Sequence, residues 1–377
     1  MHAQIKLGRI AGISIGLHYS WFIIAFLITL SLIDHFKSVM PQWSGATLWS
    51  VAIVTGILFF ITLLLHELAH SLLAKSRGLQ VRAITLFALG GVSQIESEAP
   101  DAKSEFWIAI VGPLSSLVIG AVCLLLARFT GWIPNSEART PISAVLVWLG
   151  YINLVLAVFN MIPGYPLDGG RVLRALIWWS THSIDRSTKI AARVGQAVAF
   201  LFIFMGLYQF FVGKNFGGLW MAFIGWFLLD ASRSSYAQVE ITAGLRDRKV
   251  SDIMDREFST VEAHLSLQDF VHQYLLTSGR RCFVVVQNGN LAGLITSNEV
   301  SNVSRDRWPQ TSVQSVMRPL SQVSTVAPDA SALDALETMS RQDINQLPVV
   351  SNGQLEGIFS RGSVMGFLRN RAELFRR

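Results

Sequence analysis

Two histidines four residues apart enclose a glutamate in His66-Glu67-Leu68-Ala69-His70, inside a long apolar run that includes Phe59-Phe60-Ile61-Thr62-Leu63-Leu64-Leu65. Three ionisable groups within five residues of a membrane span are costly, and they mark function by default. On a helix, positions i and i+4 share a face, so both imidazoles reach one divalent ion. Glu67, beside the first of them, is placed to act as general base toward water held by that ion. Zinc brings the pKa of such water to about 7, which makes a nucleophile at neutral pH. A chance match to this pattern is expected on the order of once per hundred proteins, and its position inside a span argues against chance.

The rest of the chain sets the pattern in a membrane. Hydrophobic residues make up 51% of the 377, and charged residues only 15%. A soluble chain carries about 25% charged residues, so a purely soluble globular protein and a disordered one are both excluded. Six runs approach the roughly 20 apolar residues that a membrane helix needs, at about 12–33, 48–73, 106–127, 142–162, 194–212 and 216–231. The last two are short and joined by a glycine-rich turn at 213–218. The first is too long for a cleaved signal peptide, and no small-residue cleavage site follows it.

With the N-terminus inside, the cytoplasmic segments hold Lys6, Arg9, Lys75, Arg77, Arg82, Lys103, Arg171, Arg174, Arg186, Lys189, Arg193 and Arg233. The outer loops hold only Lys37, Arg128, Arg139 and Lys214. This bias predicts cytoplasmic N- and C-termini. The formal charge of +6 thus reads as topology, with no nucleic-acid partner expected. Cys123 and Cys282 stand far apart and predict no disulfide framework.

Beyond residue 235 the chain turns polar and repeats itself. Val250-Ser-Asp-Ile-Met254 aligns with Val313-Gln-Ser-Val-Met317. Cys282-Phe-Val-Val-Val and the following Asn288-Gly289 hairpin align with Leu347-Pro-Val-Val and Asn352-Gly353. Asn-Gly between alternating apolar runs is a strong hairpin signal. Amphipathic helices are expected over 266–276 and 332–341, so two α/β units form a pair.

A catalytic zinc usually has three protein ligands and one open position. Asp168, in Asn160-Met-Ile-Pro163-Gly-Tyr-Pro166-Leu-Asp168-Gly169-Gly170, is the leading candidate for the third. Prolines and glycines break the fourth span there, and irregular backbone at membrane depth implies a cavity or protein partners. The competing reading makes Asp168 an N-cap of a helix starting near Arg171. Asp230 is the weaker rival ligand. Asn160 reads as a donor to substrate backbone or a developing oxyanion, or as an interhelical hydrogen bond. Asn153 reads as the latter. The stretch 81–96, VRAITLFALGGVSQIE, reads as a hairpin or re-entrant loop. It either offers a free strand edge to an unwound substrate or is an ordinary surface hairpin. His18 reads as interfacial, and His182, His264 and His272 as solvated.

HELAH in one span with Asn-x-x-Pro and Leu-Asp-Gly-Gly in a later one resembles the site-2 protease family of intramembrane zinc metalloproteases, over about residues 1–235. The resemblance implies one Zn²⁺ per chain held by His66, His70 and Asp168, with Glu67 as catalytic base. An Asn at the position of Asn160 lies near the metal in that family. His18 and Trp21 resemble its amphipathic start. The C-terminal repeat resembles a CBS pair, 250–308 and 309–371, after a linker at 236–249. The implied architecture is a polytopic domain of six transmembrane helices followed by a cytoplasmic α/β CBS module. Such modules commonly bind adenine nucleotides and associate as dimers, which points to Thr296, Glu299 and Ser360. The family's ribose-contacting Asp, however, is Glu299 in the first repeat and Ser363 in the second. The implied partners are the bilayer, a membrane-protein substrate with a transmembrane segment, and a second copy through the CBS pair. The alternative is a CBS-gated ion channel or transporter in which the same ionisable residues line an ion path.

Overall fold

A computed structural model describes residues 5–374 apart from 89, 96–97, 135–139, 280–281, 288–289 and 352–353. Arg139, Glu96 and both Asn-Gly turns lie outside the described residues. The chain divides into two compact units, Met1–Val239 and Glu240–Arg377.

The first unit opens with two strands, β1 (Ile5–Ile10) and β2 (Ile13–Leu17). Helices α1 (Ser20–Val39) and α2 (Gly45–Ser76) follow, then a hairpin of β3 (Val81–Phe87) and β4 (Gly90–Ile95). Five helices complete it: α3 (Ala102–Phe129), α4 (Pro141–Asn160), α5 (Asp168–Thr181), α6 (Ile184–Phe211) and α7 (Gly217–Leu245). The strands form one sheet in the order β1-β2-β3-β4, with β2 and β3 parallel and the other pairs antiparallel. β4 is therefore an edge strand.

Among the described residues, α1, α2, α3, α4 and α6 are long and apolar enough to cross a membrane. Their outward faces carry large exposed apolar side chains such as Phe26, Ile57, Leu125, Val158 and Phe204. Apolar patches of that extent mark contact with lipid or protein. The Ser44 hydroxyl caps α2 by accepting from the Thr47 amide. At 1.5 Å per residue, the 32 residues of α2 extend about 48 Å, more than the hydrocarbon core, and His66 lies about 30 Å along it. Helices α3 and α4 approach backbone to backbone at Gly120 and Gly150. A Cβ on Gly120 would lie 2.9 Å from the Gly150 carbonyl oxygen, and one on Gly150 would lie 2.6 Å from the Leu124 side chain. Small residues at crossings are the usual means of close packing between membrane helices.

Three expectations change. The sixth expected span, 216–231, begins α7, whose apolar stretch ends at Asp230, so α7 does not join the five membrane-length apolar helices. The first span starts at Ser20 rather than at residue 12. Gly12 turns the chain at φ +80°, and the run Ile13-Ser-Ile-Gly-Leu17 alternates as a strand paired with β1 and β3. Hydropathy alone merges that strand with α1. The helix expected over 266–276 is one α turn, α8 (Leu267–Phe270), continued by a π-helical turn, Val271–Leu275.

The second unit keeps its repeat visible. β5 (Thr260–Glu262) runs parallel to β6 (Cys282–Gln287), which pairs antiparallel with β7 (Asn290–Thr296). After α9 (Ser297–Ser301) and α10 (Val313–Val316), β8 (Arg318–Pro319) closes the sheet. The second repeat has α11 (Ala332–Arg341), the antiparallel pair β9 (Gln346–Ser351) and β10 (Gln354–Ser360), and α12 (Arg361–Leu374). The two halves exchange equivalent contacts. The Val250 amide donates to Ala330 O, and the Val313 amide donates to Leu265 O, both at 2.9 Å. Each repeat has its own apolar core, around Phe270 and Phe283 in the first and Met339 and Phe359 in the second.

The α3–α4 crossing has no room for a branched side chain. Gly150→Leu is expected to cost about 1–3 kcal/mol by overpacking. The cost is read as a lower midpoint of thermal unfolding in detergent, and an unchanged midpoint would refute the close crossing.

Candidate metal centre

His66 and His70 sit one above the other on α2 and are both 3% exposed. Asp168 is the first residue of α5. Its side chain caps no backbone group. Instead its Oδ2 lies 3.2 Å from His66 Nε2 and 3.2 Å from His70 Nε2, and the two Nε2 atoms are 3.2 Å apart. The N-cap reading of Asp168 is thus not what the structure has, since Leu167 occupies the N-cap.

The outer nitrogens fix how the rings face. His70 Nδ1 lies 2.6 Å from the Ile108 carbonyl, which only accepts, so Nδ1 carries a proton and Nε2 is the nitrogen turned toward Asp168 and His66. His66 Nδ1 lies 2.9 Å from the Ser116 hydroxyl. Such contacts on the far nitrogen are the usual means of orienting metal-binding imidazoles. Gly112 faces the same point, and a Cβ there would collide with His70 Nε2 and lie 2.8 Å from His66 Nε2. Donor separations of 3.2 Å match the spacing of ligands on one tetrahedral ion with bonds of about 2.0–2.1 Å, so His66, His70 and Asp168 could hold a divalent cation together. Two imidazoles and a carboxylate suit zinc, and among the described residues this is the one cluster of three such groups that can hold a metal.

Glu67, next to His66 on α2, faces β4. Its Oε2 accepts from Ser93 Oγ at 3.0 Å, and Ser93 Oγ in turn accepts from Ser71 Oγ at 3.1 Å. Gly91 makes the approach feasible, because a Cβ there would lie 2.9 Å from Glu67 Cδ. His66, Glu67, His70, Asp168, Asn160 and Arg171 form the polar end of a cavity of about 840 Å³. Its walls are apolar, with Phe59, Phe60, Trp148, Ile152, Leu156 and Trp220, and β4 lines it from Gly90 to Ser93.

Residues 54–134 and 130–202 match Peptidase family M50, and residues 250–306 and 313–370 each match the CBS domain. A Synechocystis protein, sll0528, provisionally named a zinc metalloprotease, is 32% identical over 99% of this chain and 97% of its own. The chain belongs to peptidase family M50, the site-2 proteases, and carries two CBS domains.

Rip3 of Mycobacterium tuberculosis, also provisionally named a zinc metalloprotease, is 33% identical over 94% of this chain and 89% of its own. Zinc metalloprotease MJ0392 of Methanocaldococcus jannaschii is 29% identical over 97% of this chain and 96% of its own. A solved site-2 protease from Methanocaldococcus jannaschii is 31% identical, covers 62% of this chain and 94% of that chain, and has a TM-score of 0.42.

The remaining candidates of this site-2 protease separate clearly. Asp230 is exposed and outside the three-residue cluster. Asn160 lines the cavity and donates to Leu156 O of its own helix at 3.0 Å. Asn153 is fully buried and donates to Thr62 Oγ1 on α2 at 3.2 Å. His18 pairs with Ser20 at 2.8 Å, and Trp21 packs on Phe60. His182, His264 and His272 are exposed.

In the CBS unit, Thr296 and Glu299 cap α9 reciprocally. Both the hydroxyl and the amide of Thr296 donate to Glu299 Oε2, while Arg318 Nε donates to Oε1 at 2.7 Å. Burial pushes the Glu299 acid up, but the Thr296 donors and Arg318 outweigh it and hold it below the ordinary carboxylate range. Ser360 and Ser363 form the corresponding box in the second repeat.

Gly112, Ser116, Ser93 and Glu105 were not singled out by the sequence. Their roles come from partners tens of residues away, and no local pattern distinguishes them from packing residues. Ser116→Ala removes the partner of His66 Nδ1. It is expected to weaken divalent-ion binding about 10–100-fold in a chelator competition, and unchanged binding would remove Ser116 from the site.

Proposed function

We propose that this chain is an intramembrane zinc metalloendopeptidase that cleaves membrane-spanning segments of other membrane proteins. The observation that carries the reading is the His66–His70–Asp168 triangle. It lies beside Glu67, at the polar end of an apolar cavity walled by membrane-length helices. His66, His70 and Asp168 hold one zinc per chain. When bound, zinc supplies a Lewis acid and water acidified toward neutrality.

The residues divide the work around it. Ser93 occupies Glu67 Oε2, which leaves Oε1 as the atom that takes the proton from water and passes it to the leaving amine. Asn160, at the cavity wall, offers its amide to the substrate backbone or the developing oxyanion. The free edge of β4 receives the substrate as an added strand. A helical substrate must unwind first, because its peptide bonds are shielded by its own hydrogen bonds. The cavity walls favour large apolar side chains beside the scissile bond.

In this reading α7 supplies a sixth membrane segment, and both termini are cytoplasmic, as the Lys/Arg bias favours. Since α2 then runs inward, His66 lies near the cytoplasmic face. The CBS pair regulates cleavage through an adenine nucleotide at Thr296, Glu299 and Ser360, and it joins two copies. The support for regulation is that the CBS pair follows α7 directly in the chain. The channel reading is not favoured, because full-length relatives are named metalloproteases.

Purified protein in detergent tests this directly, with a panel of single-span membrane substrates. Wild type is expected to carry about one zinc and to cut. Glu67→Gln is expected to keep the zinc and lose cleavage by a factor of at least 10²–10⁴. Metal-free wild type, or a Glu67→Gln variant that still cuts, would contradict the assignment. ATP, ADP or AMP added to the full chain should change the cleavage rate, and the absence of both binding and rate change would remove the nucleotide.

A further inference from the structure

Helix α3 presents one buried stripe to the metal centre. Glu105, Ile108, Gly112 and Ser116 are spaced 3, 4 and 4 apart and so share a face. Three of the four act on the histidines: Ile108 O on His70 Nδ1, Ser116 Oγ on His66 Nδ1, and Gly112 by leaving space for both Nε2 atoms. The fourth, Glu105, is 1% exposed and reaches past the histidines to α5.

Its carboxylate takes both arginines of that helix. Arg171 donates from Nε to Oε1 at 3.0 Å and from Nη2 to Oε2 at 3.4 Å, and Arg174 Nη2 reaches Oε1 at 2.6 Å. The arginines follow Asp168 by three and six residues, so the carboxylate grips α5 within two turns of the ligand. The other side of α5 is equally confined. A Cβ on Gly169 or Gly170 would strike the backbone of Met161 or Gly164. With the helix held in depth by glycine contacts and in rotation by the ion cluster, Asp168 has little freedom left.

We propose that Glu105 is a positioning residue for the metal site, acting through Arg171 and Arg174 to aim Asp168 at the two histidines. This deepens the zinc reading and rests on it. Helix α3 then organises all three ligands, two of them directly and one through the charge cluster. Ion clusters also serve stability alone, and the two roles differ in what they do to Asp168. A brace acts on metal affinity through Asp168, whereas a merely structural cluster lowers stability and leaves the folded site unchanged.

The test is zinc affinity by chelator competition on wild type, Glu105→Gln and the double variant Glu105→Gln/Arg174→Gln. The double variant keeps the summed charge of positions 105, 171 and 174 at its wild-type value and avoids leaving both guanidinium groups without the carboxylate between them. Both variants are expected to weaken zinc about 10–100-fold while remaining monodisperse. In an Asp168→Asn background the same changes are expected to cost little more, because the group being aimed is already gone. Wild-type affinity in the double variant overturns the brace, and so does an equal loss with and without Asp168. Wild-type protein that takes up no zinc overturns the parent reading and the brace with it.

Discussion

Two imidazole nitrogens and a carboxylate oxygen, each 3.2 Å from the others in a buried site, converge on one point, and a divalent cation is the partner that would satisfy all three. The Ile108 carbonyl accepts from His70 Nδ1 and so keeps Nε2 turned toward the other two. Much of the first unit is arranged to keep the three donors convergent. Helix α3 orients the rings and leaves the gap at Gly112. The loop 161–167 brings α5 in so that it starts on the ligand itself. The small residues along α3, α4, α5 and α6 let backbones meet where side chains would keep them apart.

The same centre explains why ionisable groups are tolerated among membrane helices. Several polar side chains near it have partners that limit the cost of burial: Glu67 has Ser93, Asn153 has Thr62 through its amide nitrogen, and Glu105 has Arg171 and Arg174. Most of the cavity's other lining is apolar, with Ser31 and His35 of α1 as exceptions. The edge strand β4 then matters twice, as the element that holds Glu67 through Ser93 and as one wall of the space in front of it.

Much of this was legible in the sequence, for reasons that differ by residue. His66, Glu67 and His70 are covalently close, so helical periodicity alone places them. Asp168 is 98 residues from His70, and spacing left it level with an N-cap; the family resemblance singled it out. The CBS repeat was readable because two copies of one pattern reinforce each other. The strand Ile13–Leu17 was hidden because it is as apolar as the helix after it, and β1 gave no separate signal. Helix α7 stands apart from the five membrane-length apolar helices because its apolar stretch stops at Asp230. Glu105 stands just outside the expected third span and carries no local signal, since its meaning lies in Arg171, which is 66 residues away.

The central claim is that His66, His70 and Asp168 together hold zinc. X-ray absorption at the zinc edge on the purified full chain tests it most directly. The expected result is two imidazole nitrogens and oxygen at about 2.0–2.1 Å, with no sulfur, and loss of the imidazole signal in a His66→Ala/His70→Ala variant. Sulfur ligation, or an unchanged spectrum in that variant, would contradict the account.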